Sequence, residues 1–310
     1  MYEAHEEVIK HIDELVDFLE KNGVEAEYRS YLEDDYLRAH RFYENHKNHP
    51  EITQDDSDRA AYLGLFELYK WIWSVKDIDE FSKLDKHLRL LIEASPRINS
   101  NIPIISPVTD KQDEKSNKFV EAIIGMFAVK IGTNVDLDDP FVSSGGRNPD
   151  VLFDFCGKRI GIACKTLRGN SERTIVDNLK TASNQIKRAD CDLGYALINA
   201  MNILPHEKIK DRIFDNQFEP VGILSKEITD LYIEARTRAE NEMFSLFQNR
   251  KIRPAVLTFI HSAAKFHTPY GVASTSLKST FATNLEIPGI DVTEDLQFLA
   301  KVNEFIHNRL

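Results

Sequence analysis

The fold of this chain is decided by the stretch NPDVLFDFCGKRIGIACK, residues 148–165, in which two apolar runs flank a glycine. Apolar side chains alternate with other residues on both sides of Gly157, a pattern typical of paired β-strands. A two-residue type II′ turn favours glycine in its first position. We therefore predict a β-hairpin that turns at Gly157-Lys158 and pairs Cys156 with Arg159.

The predicted hairpin determines which side chains are neighbours. In this register Asp150 lies directly opposite Lys165, and Leu152 lies opposite Ala163. Successive side chains of a strand point to opposite faces of the sheet, so these four residues share one face. The hairpin therefore predicts a carboxylate beside an ammonium group. That arrangement suits an ordinary cross-strand ion pair or a site for metal-assisted phosphodiester hydrolysis, and the residues alone leave both open.

The segments around the hairpin predict a compact α/β module. A helical pattern covers about 111–131, another covers about 175–189, and an apolar strand follows at 193–200. The resulting order is helix–strand–strand–helix–strand. The rest of the chain predicts a long helix, two strands and a terminal helix, at 224–249, 255–261, 272–280 and 292–308.

The first hundred residues predict a separate helical domain. Val8, Ile12, Leu15 and Leu19 recur at the three-to-four-residue spacing of an amphipathic helix. The polar, proline-containing segment 95–107 then predicts a domain boundary. We therefore expect a helical domain at 1–100 and an α/β domain at 101–310. The predicted fold class is mixed α/β, of the α+β kind.

The composition is that of an ordinary globular protein, with 42% hydrophobic and 29% charged residues. The sequence contains no apolar run of about 18 residues and no signal-peptide pattern at its start. The cysteines Cys156, Cys164 and Cys191 lie in apolar surroundings and are predicted to be buried and reduced. We therefore expect a cytoplasmic protein with no membrane partner.

The distribution of charge matters more than the net charge of −11. Residues 1–100 contain 13 Lys and Arg against 23 Asp and Glu, whereas residues 141–190 contain 9 against 5. Binding to phosphate requires a local positive surface, which the second segment could supply. Chance clustering of charge explains the same numbers equally well.

Residues 118–187 resemble the PD-(D/E)xK nuclease superfamily, and their layout is similar to that of archaeal Holliday-junction resolvases and restriction-type endonucleases. The resemblance depends on short motifs that are weak singly but stand in the family's order. They are Glu121 on the opening helix, Ser143-Ser144-Gly145-Gly146, Pro149-Asp150, Lys165 on the second strand, and Gln185 on the next helix.

This resemblance implies a restriction-endonuclease-like α-β-β-α-β core with C-terminal helices and strands added to it. It implies Mg²⁺ or Mn²⁺ bound by Asp150 and Glu121, water activation by Lys165, and support of the nucleophile or backbone by Gln185. The sequence departs from the family at Ala163, where the pattern has Glu or Asp. Alanine cannot ligate a metal, and Glu121 is the substitute we expect.

The implied activity is that of a metal-dependent endonuclease acting on double-stranded DNA, with genome defence or a mobile element as the context by analogy. Ser144, Arg168, Arg173 and Lys187 are expected to contact the nucleic acid, although a solvated helix face would look the same. Two alternatives stay open. One is a nuclease fold that binds nucleic acid without cutting it, and the other is an interaction protein that docks a partner through the acidic residues 1–100. A homodimer is expected as a further assembly.

Overall fold

The computed structural model describes residues 5–48, 56–97, 115–142, 148–269 and 271–310. It contains two compact units, Met1–Met126 and Phe127–Leu310. The predicted boundary at residue 100 lies outside the described residues. Among those that are described, no helix combines the length and the apolar character needed to cross a bilayer.

The first unit is helical. Its elements are α1 (His5–Lys21), α2 (Tyr31–Asn48), α3 (Asp56–Val75), α4 (Asp85–Leu88), α5 (Leu90–Glu93) and the start of α6 (Phe119–Ile131), with 3-10 turns at Asp79–Leu84 and Lys115–Lys118. The predicted apolar stripe of α1 is buried, and Ile12, Leu15 and Leu19 are fully inaccessible. Trp71 is also buried in this unit, as expected for a core residue.

A charged group lies in the interior of the first unit. The carboxylate of Asp35 is completely buried, accepts a hydrogen bond of 2.5 Å from Ser95 Oγ and lies 2.6 Å from Arg97 Nε. Burial raises the pKa of Asp35 to about 6, and the Arg97 charge and the Ser95 hydrogen bond only partly oppose this increase. The carboxylate is therefore harder to ionise in the folded protein than in the unfolded chain.

The second unit contains the sheet. Its strands are β1 (Thr133–Leu137), β2 (Val151–Phe155), β3 (Lys158–Thr166), β4 (Leu193–Asn199), β5 (Ile213–Phe214), β6 (Ala255–Thr268) and β7 (Gly271–Asn284). Its helices are the end of α6, α7 (Glu172–Arg188), α8 (Glu207–Lys210), α9 (Phe218–Arg238), α10 (Glu240–Phe247) and α11 (Thr293–Ile306), with a 3-10 turn at Met201–Ile203.

The described strands form one mixed sheet in the order β1-β2-β3-β4-β6-β5, and β7 pairs with β6. The β1–β2, β2–β3 and β6–β7 pairs are antiparallel, whereas β3–β4, β4–β6 and β5–β6 are parallel. This confirms the predicted mixed α/β fold class. The predicted series of helix, two strands, helix and strand corresponds to α6, β2, β3, α7 and β4.

Strand β1, which lies between α6 and β2, was not predicted. Four of its five residues are at least partly exposed and only Val135 is buried, so it lacks the apolar run by which the other strands are recognised. The predicted helix 224–249 is interrupted at Ala239 and forms α9 and α10. The strands predicted at 255–261 and 272–280 are longer than expected, because β6 and β7 pair along their full lengths.

Helices cover both faces of the sheet. On one face α7 presents Val176, Leu179 and Ala182 to an apolar cluster that includes Ala163 of β3. On the other face Phe127 and Phe298 pack with Phe153 of β2. Both faces of β3 are therefore buried, as is usual for a strand that has a parallel neighbour.

The hairpin turns one residue earlier than predicted. Phe155 pairs with Lys158 and Leu152 with Gly161, so the turn residues are Cys156 and Gly157. Their φ angles of 50° and 74° are both positive, as a type I′ turn requires, and this turn matches the twist of the strands. The prediction of a type II′ turn was wrong because it assigned the positive φ to Gly157 alone.

The turn also corrects the prediction that all three cysteines are buried. Cys164 and Cys191 are buried, but Cys156 is exposed at the hairpin tip. A non-glycine residue with a left-handed backbone is strained, and asparagine tolerates that conformation better than cysteine does.

We predict that Cys156→Asn stabilises the protein by about 0.5–1 kcal/mol, since Asn-Gly is the preferred type I′ pair. Cys156→Val should destabilise it, because β-branched residues adopt positive φ least readily. Thermal unfolding followed by circular dichroism measures both effects. A lower melting temperature for Cys156→Asn than for the unchanged protein would contradict the observed turn.

A second prediction concerns pH. The Asp35 pKa of about 6 in the folded state exceeds its value of 3.8 in the unfolded chain, so between pH 4 and 6 the folded state binds the extra proton. This group should therefore lower the free energy of unfolding as pH rises, by at most about 1.4 kcal/mol per pH unit. Asp35→Asn should lack this contribution.

Both tryptophans, Trp71 and Trp73, lie in the first unit, so their fluorescence during urea unfolding reports on that unit. The unfolding free energy of the unchanged protein, minus that of Asp35→Asn, should fall steadily from pH 4 to pH 6. A constant difference across this range would show that Asp35 has an ordinary pKa in the folded state.

Candidate active site

The candidate site lies at one edge of the sheet. Strands β1 and β3 both run antiparallel to β2, so they run parallel to each other and end at the same edge. Asp138 follows the last residue of β1, Asp150 precedes the first residue of β2, and Lys165 is the next-to-last residue of β3. In open α/β sheets, ligands bind outside the carboxyl ends of the strands.

The Asp150 carboxylate is held by the neighbouring strand. Its Oδ2 atom accepts a hydrogen bond of 2.6 Å from the Cys164 main-chain N–H and one of 3.3 Å from Lys165 Nζ. The residue is only 8% exposed. Both hydrogen bonds end on the same oxygen, so within the described part of the chain Oδ1 is the oxygen left to meet a ligand.

Lys165 is fixed from two sides. Its Nζ atom donates a hydrogen bond of 2.6 Å to the Cys164 carbonyl and contacts Asp150 at 3.3 Å. The predicted proximity of Asp150 and Lys165 is therefore confirmed, although the two residues are not directly opposite. Continuing the observed register places Ala163, not Lys165, opposite Asp150. A register change of two positions keeps every side chain on its face, so the carboxylate and the ammonium group still meet.

The surroundings of Asp150 make its carboxyl group harder to ionise. Burial raises the pKa of the Asp150 carboxyl, and the Lys165 charge and the Cys164 N–H act in the opposite direction. The negative charge of Asp138 raises this pKa further. The edge thus places two acids close together beside one cation.

Gln185 joins the site from α7. Its Nε2 atom donates a hydrogen bond of 2.7 Å to the Asn148 carbonyl, two residues before Asp150. The side chain is 3% exposed, and its Oε1 atom is buried without a hydrogen-bond partner. Leaving a buried amide oxygen unsatisfied costs about 1–3 kcal/mol, so such an atom marks a place for an ordered water or a ligand.

Ala163, where the family pattern has an acid, is completely buried. It belongs to the apolar cluster formed with Val176 and Leu179 of α7. The helix therefore covers the position at which the expected carboxylate would stand.

Glu121 lies on the part of α6 that belongs to the first unit, whereas Asp150 and Lys165 belong to the second. Its function as a metal ligand stays a prediction. Within the described ranges, no group of three or more His, Cys, Asp or Glu residues could hold a metal ion. A metal at this edge would therefore depend on fewer side-chain ligands, with water completing its coordination.

The predicted nucleic-acid contacts differ in their surroundings. Arg168 is exposed in the segment after β3, and Lys187 is exposed near the end of α7. Arg173 is exposed but forms ion pairs of 2.9 Å with Glu242 and 2.7 Å with Asp177, which offset its charge. The predicted contact Ser144 lies outside the described residues.

The sequence reasoning missed Asp138 because it missed β1. The available signal was the alternation of Val135 and Leu137 with polar residues, followed directly by two acids. Such a short and half-exposed alternation is weak evidence for a strand. Recognising it would have placed Asp138 at the same edge as Asp150.

Comparisons of the chain with protein-family models, with curated proteins and with solved structures found no match.

We predict that restoring the family's acid with Ala163→Glu destabilises the protein by at least ~2 kcal/mol, because it forces a carboxylate into an apolar cluster. Asn184→Glu, at an exposed position of α7, is the matched control and should change stability by less than about 0.5 kcal/mol. Chemical denaturation of both variants measures the effect. Equal stability of the two variants would mean that the edge accommodates an acid at position 163.

Proposed function

We propose that this protein is a metal-dependent phosphodiesterase that cuts DNA, with Asp150 as metal ligand and Lys165 as the catalytic cation. The observation that carries the proposal is the 3.3 Å contact between Lys165 Nζ and Asp150 Oδ2 at the carboxyl-end edge of the sheet. The motif resemblance supports the same activity, and it implies Mg²⁺ or Mn²⁺ as the metal.

The donor atoms fit such a metal. Mg²⁺ prefers oxygen ligands, needs only one or two carboxylates from the protein, and keeps several waters or substrate oxygens in its coordination shell. Among the residues that the structure describes, none forms a hydrogen bond with Asp150 Oδ1 or with the buried Gln185 Oε1. A bound metal would polarise the scissile phosphate and lower the pKa of a coordinated water.

The protein's own residues would hold and orient the substrate. The Cys164 carbonyl fixes the Lys165 ammonium group, so this positive charge is in place before a phosphate arrives. Gln185 holds the chain at Asn148 and thereby positions the start of β2. Pre-positioned charge of this kind stabilises the negative charge that develops on the phosphate oxygens during cleavage.

Local charge favours DNA over a neutral substrate. Residues 141–190 carry a positive excess, and Arg168 and Lys187 are both exposed. Arg173 contributes less than predicted, because Glu242 and Asp177 bind it. The acidic residues 1–100 carry the same sign of charge as DNA, and we propose them as a surface for a protein partner.

A catalytically degenerate nucleic-acid-binding module is the second candidate, and Ala163 is the observation that favours it. The position where the family has an acid holds a buried alanine packed against α7. Such a module would bind DNA through the same basic residues and leave it intact.

We predict that the purified protein nicks or linearises plasmid DNA with Mg²⁺ or Mn²⁺ and that EDTA stops the reaction. Asp150→Asn and Lys165→Met should each lower the rate at least ~100-fold, because each removes charge from the reaction centre. The matched controls are Asp154→Asn and Lys158→Met. They change the same residue types on the same hairpin, where Asp154 contacts Arg159 and Lys158 contacts Glu294.

The outcomes separate the two candidates. Absence of cleavage together with DNA binding that weakens steeply with salt would establish the binding module, because counterion release makes phosphate contacts salt-dependent. Absence of any binding at low salt would overturn both. Equal loss of cleavage in the controls would show that the hairpin tolerates no substitution and that Asp150 and Lys165 have no special role.

A further inference from the structure

The family pattern has a second acid at position 163, and Ala163 supplies none there. An acid, Asp138, follows the last residue of β1 at this edge of the sheet. Asp136 pairs with Leu152 and Leu137 pairs with Val151, so the same register places Asp138 beside Asp150. The Asp138 main-chain N–H donates a hydrogen bond of 3.0 Å to the Asp150 carbonyl, which confirms that the pairing continues to this position.

The register also decides the face on which Asp138 lies. Residues that pair across antiparallel strands project to the same side of the sheet. Asp138 therefore shares its face with Asp150, Ala163 and Lys165, and this is the face that α7 covers.

An independent observation on the same side of the sheet comes from Gln185. Gln185 reaches from α7 to Asn148 through its Nε2 atom, while its Oε1 atom is buried and has no hydrogen-bond partner. The amide nitrogen is anchored two residues from Asp150, and α7, which carries Gln185, covers the face on which the two acids stand. A buried oxygen of this kind marks a place for an ordered water or a ligand, and a water bound to a metal ion would satisfy it.

We propose that Asp138 and Asp150 together bind one divalent metal ion, with Asp138 replacing the acid that is absent at position 163. This inference rests on the metal site of the proposed function and names the second protein ligand of that site. Gln185 Oε1 accepts a hydrogen bond from a water of the ion. Two carboxylates with several waters are the ligand set that Mg²⁺ prefers in proteins.

Three other aspartates lie near the hairpin. Asp139 Oδ1 accepts hydrogen bonds from the main-chain N–H groups of Phe141 and Val142 at 2.9 and 3.0 Å. Asp154 accepts a hydrogen bond of 2.6 Å from Asn134 Nδ2. Asp136 is exposed and lies opposite Leu152, two residues back from the edge.

The test is Mn²⁺ binding to the full chain, measured by electron paramagnetic resonance of the free ion, which requires no enzymatic activity. Asp138→Asn should weaken Mn²⁺ binding at least ~10-fold, because it keeps the shape of the side chain and removes the charge that the ion requires. Asp136→Asn, on the same strand and the same face, should change binding less than about 2-fold. Asp138→Glu should retain part of the affinity, and circular dichroism checks that each variant folds.

The results distinguish this inference from the proposed function. Binding unchanged in Asp138→Asn but lost in Asp150→Asn would overturn the inference and leave the phosphodiesterase proposal standing. Loss in Glu121→Gln instead of Asp138→Asn would also overturn it. Loss in both Asp138→Asn and Asp150→Asn, in a protein that does not cut DNA, would support the inference and overturn the proposed function. An equal loss of Mn²⁺ affinity in Asp136→Asn and Asp138→Asn would show that binding depends on total negative charge and not on Asp138 itself. That result would overturn the inference.

Discussion

The hydrogen bond from the Cys164 N–H to Asp150 Oδ2 is the interaction on which the proposed site depends. It joins the residue that precedes β2 to the strand that carries Lys165, at a distance of 2.6 Å. The bond fixes one oxygen of the carboxylate against the strand. The Cys164 carbonyl binds Lys165 Nζ at 2.6 Å, so one peptide segment orients both members of the pair.

This arrangement has a free-energy cost that the protein alone does not fully offset. A carboxylate buried beside α7 loses hydration, and the nearby Asp138 adds repulsion. One ammonium group and one N–H compensate only in part. The buried Gln185 oxygen adds a further unsatisfied group. In the site that we propose, a cation with bound waters would relieve all three at once.

The sequence predicted the face of each hairpin residue better than it predicted the pairing. Side chains in a strand alternate with a period of two, so a register error of two positions left Asp150 and Lys165 on one face. The turn itself depended on whether Cys156 could adopt a positive φ, and local sequence gives little information on that point. Asp138 could not be placed because β1 has only one buried residue.

Other predictions were incomplete because they depended on contacts between residues that are far apart in the sequence. The charge of Arg173 was counted as available for phosphate, but Glu242 comes from α10, far along the chain, and no local pattern foretells the ion pair. The family motif singled out Gln185, and the structure shows that it bonds to the Asn148 carbonyl near the start of β2. Only the structure shows that its Oε1 atom is buried without a hydrogen-bond partner among the described residues, because this depends on the packing around the side chain.

The most direct measurement is an anomalous difference map from crystals grown with Mn²⁺. Our account predicts a peak at coordination distance from Asp150 Oδ1 and from a carboxylate oxygen of Asp138, with Lys165 still in contact with Asp150 Oδ2. A fully occupied Mn²⁺ bound elsewhere, with Asp138 and Asp150 free of metal, would contradict it.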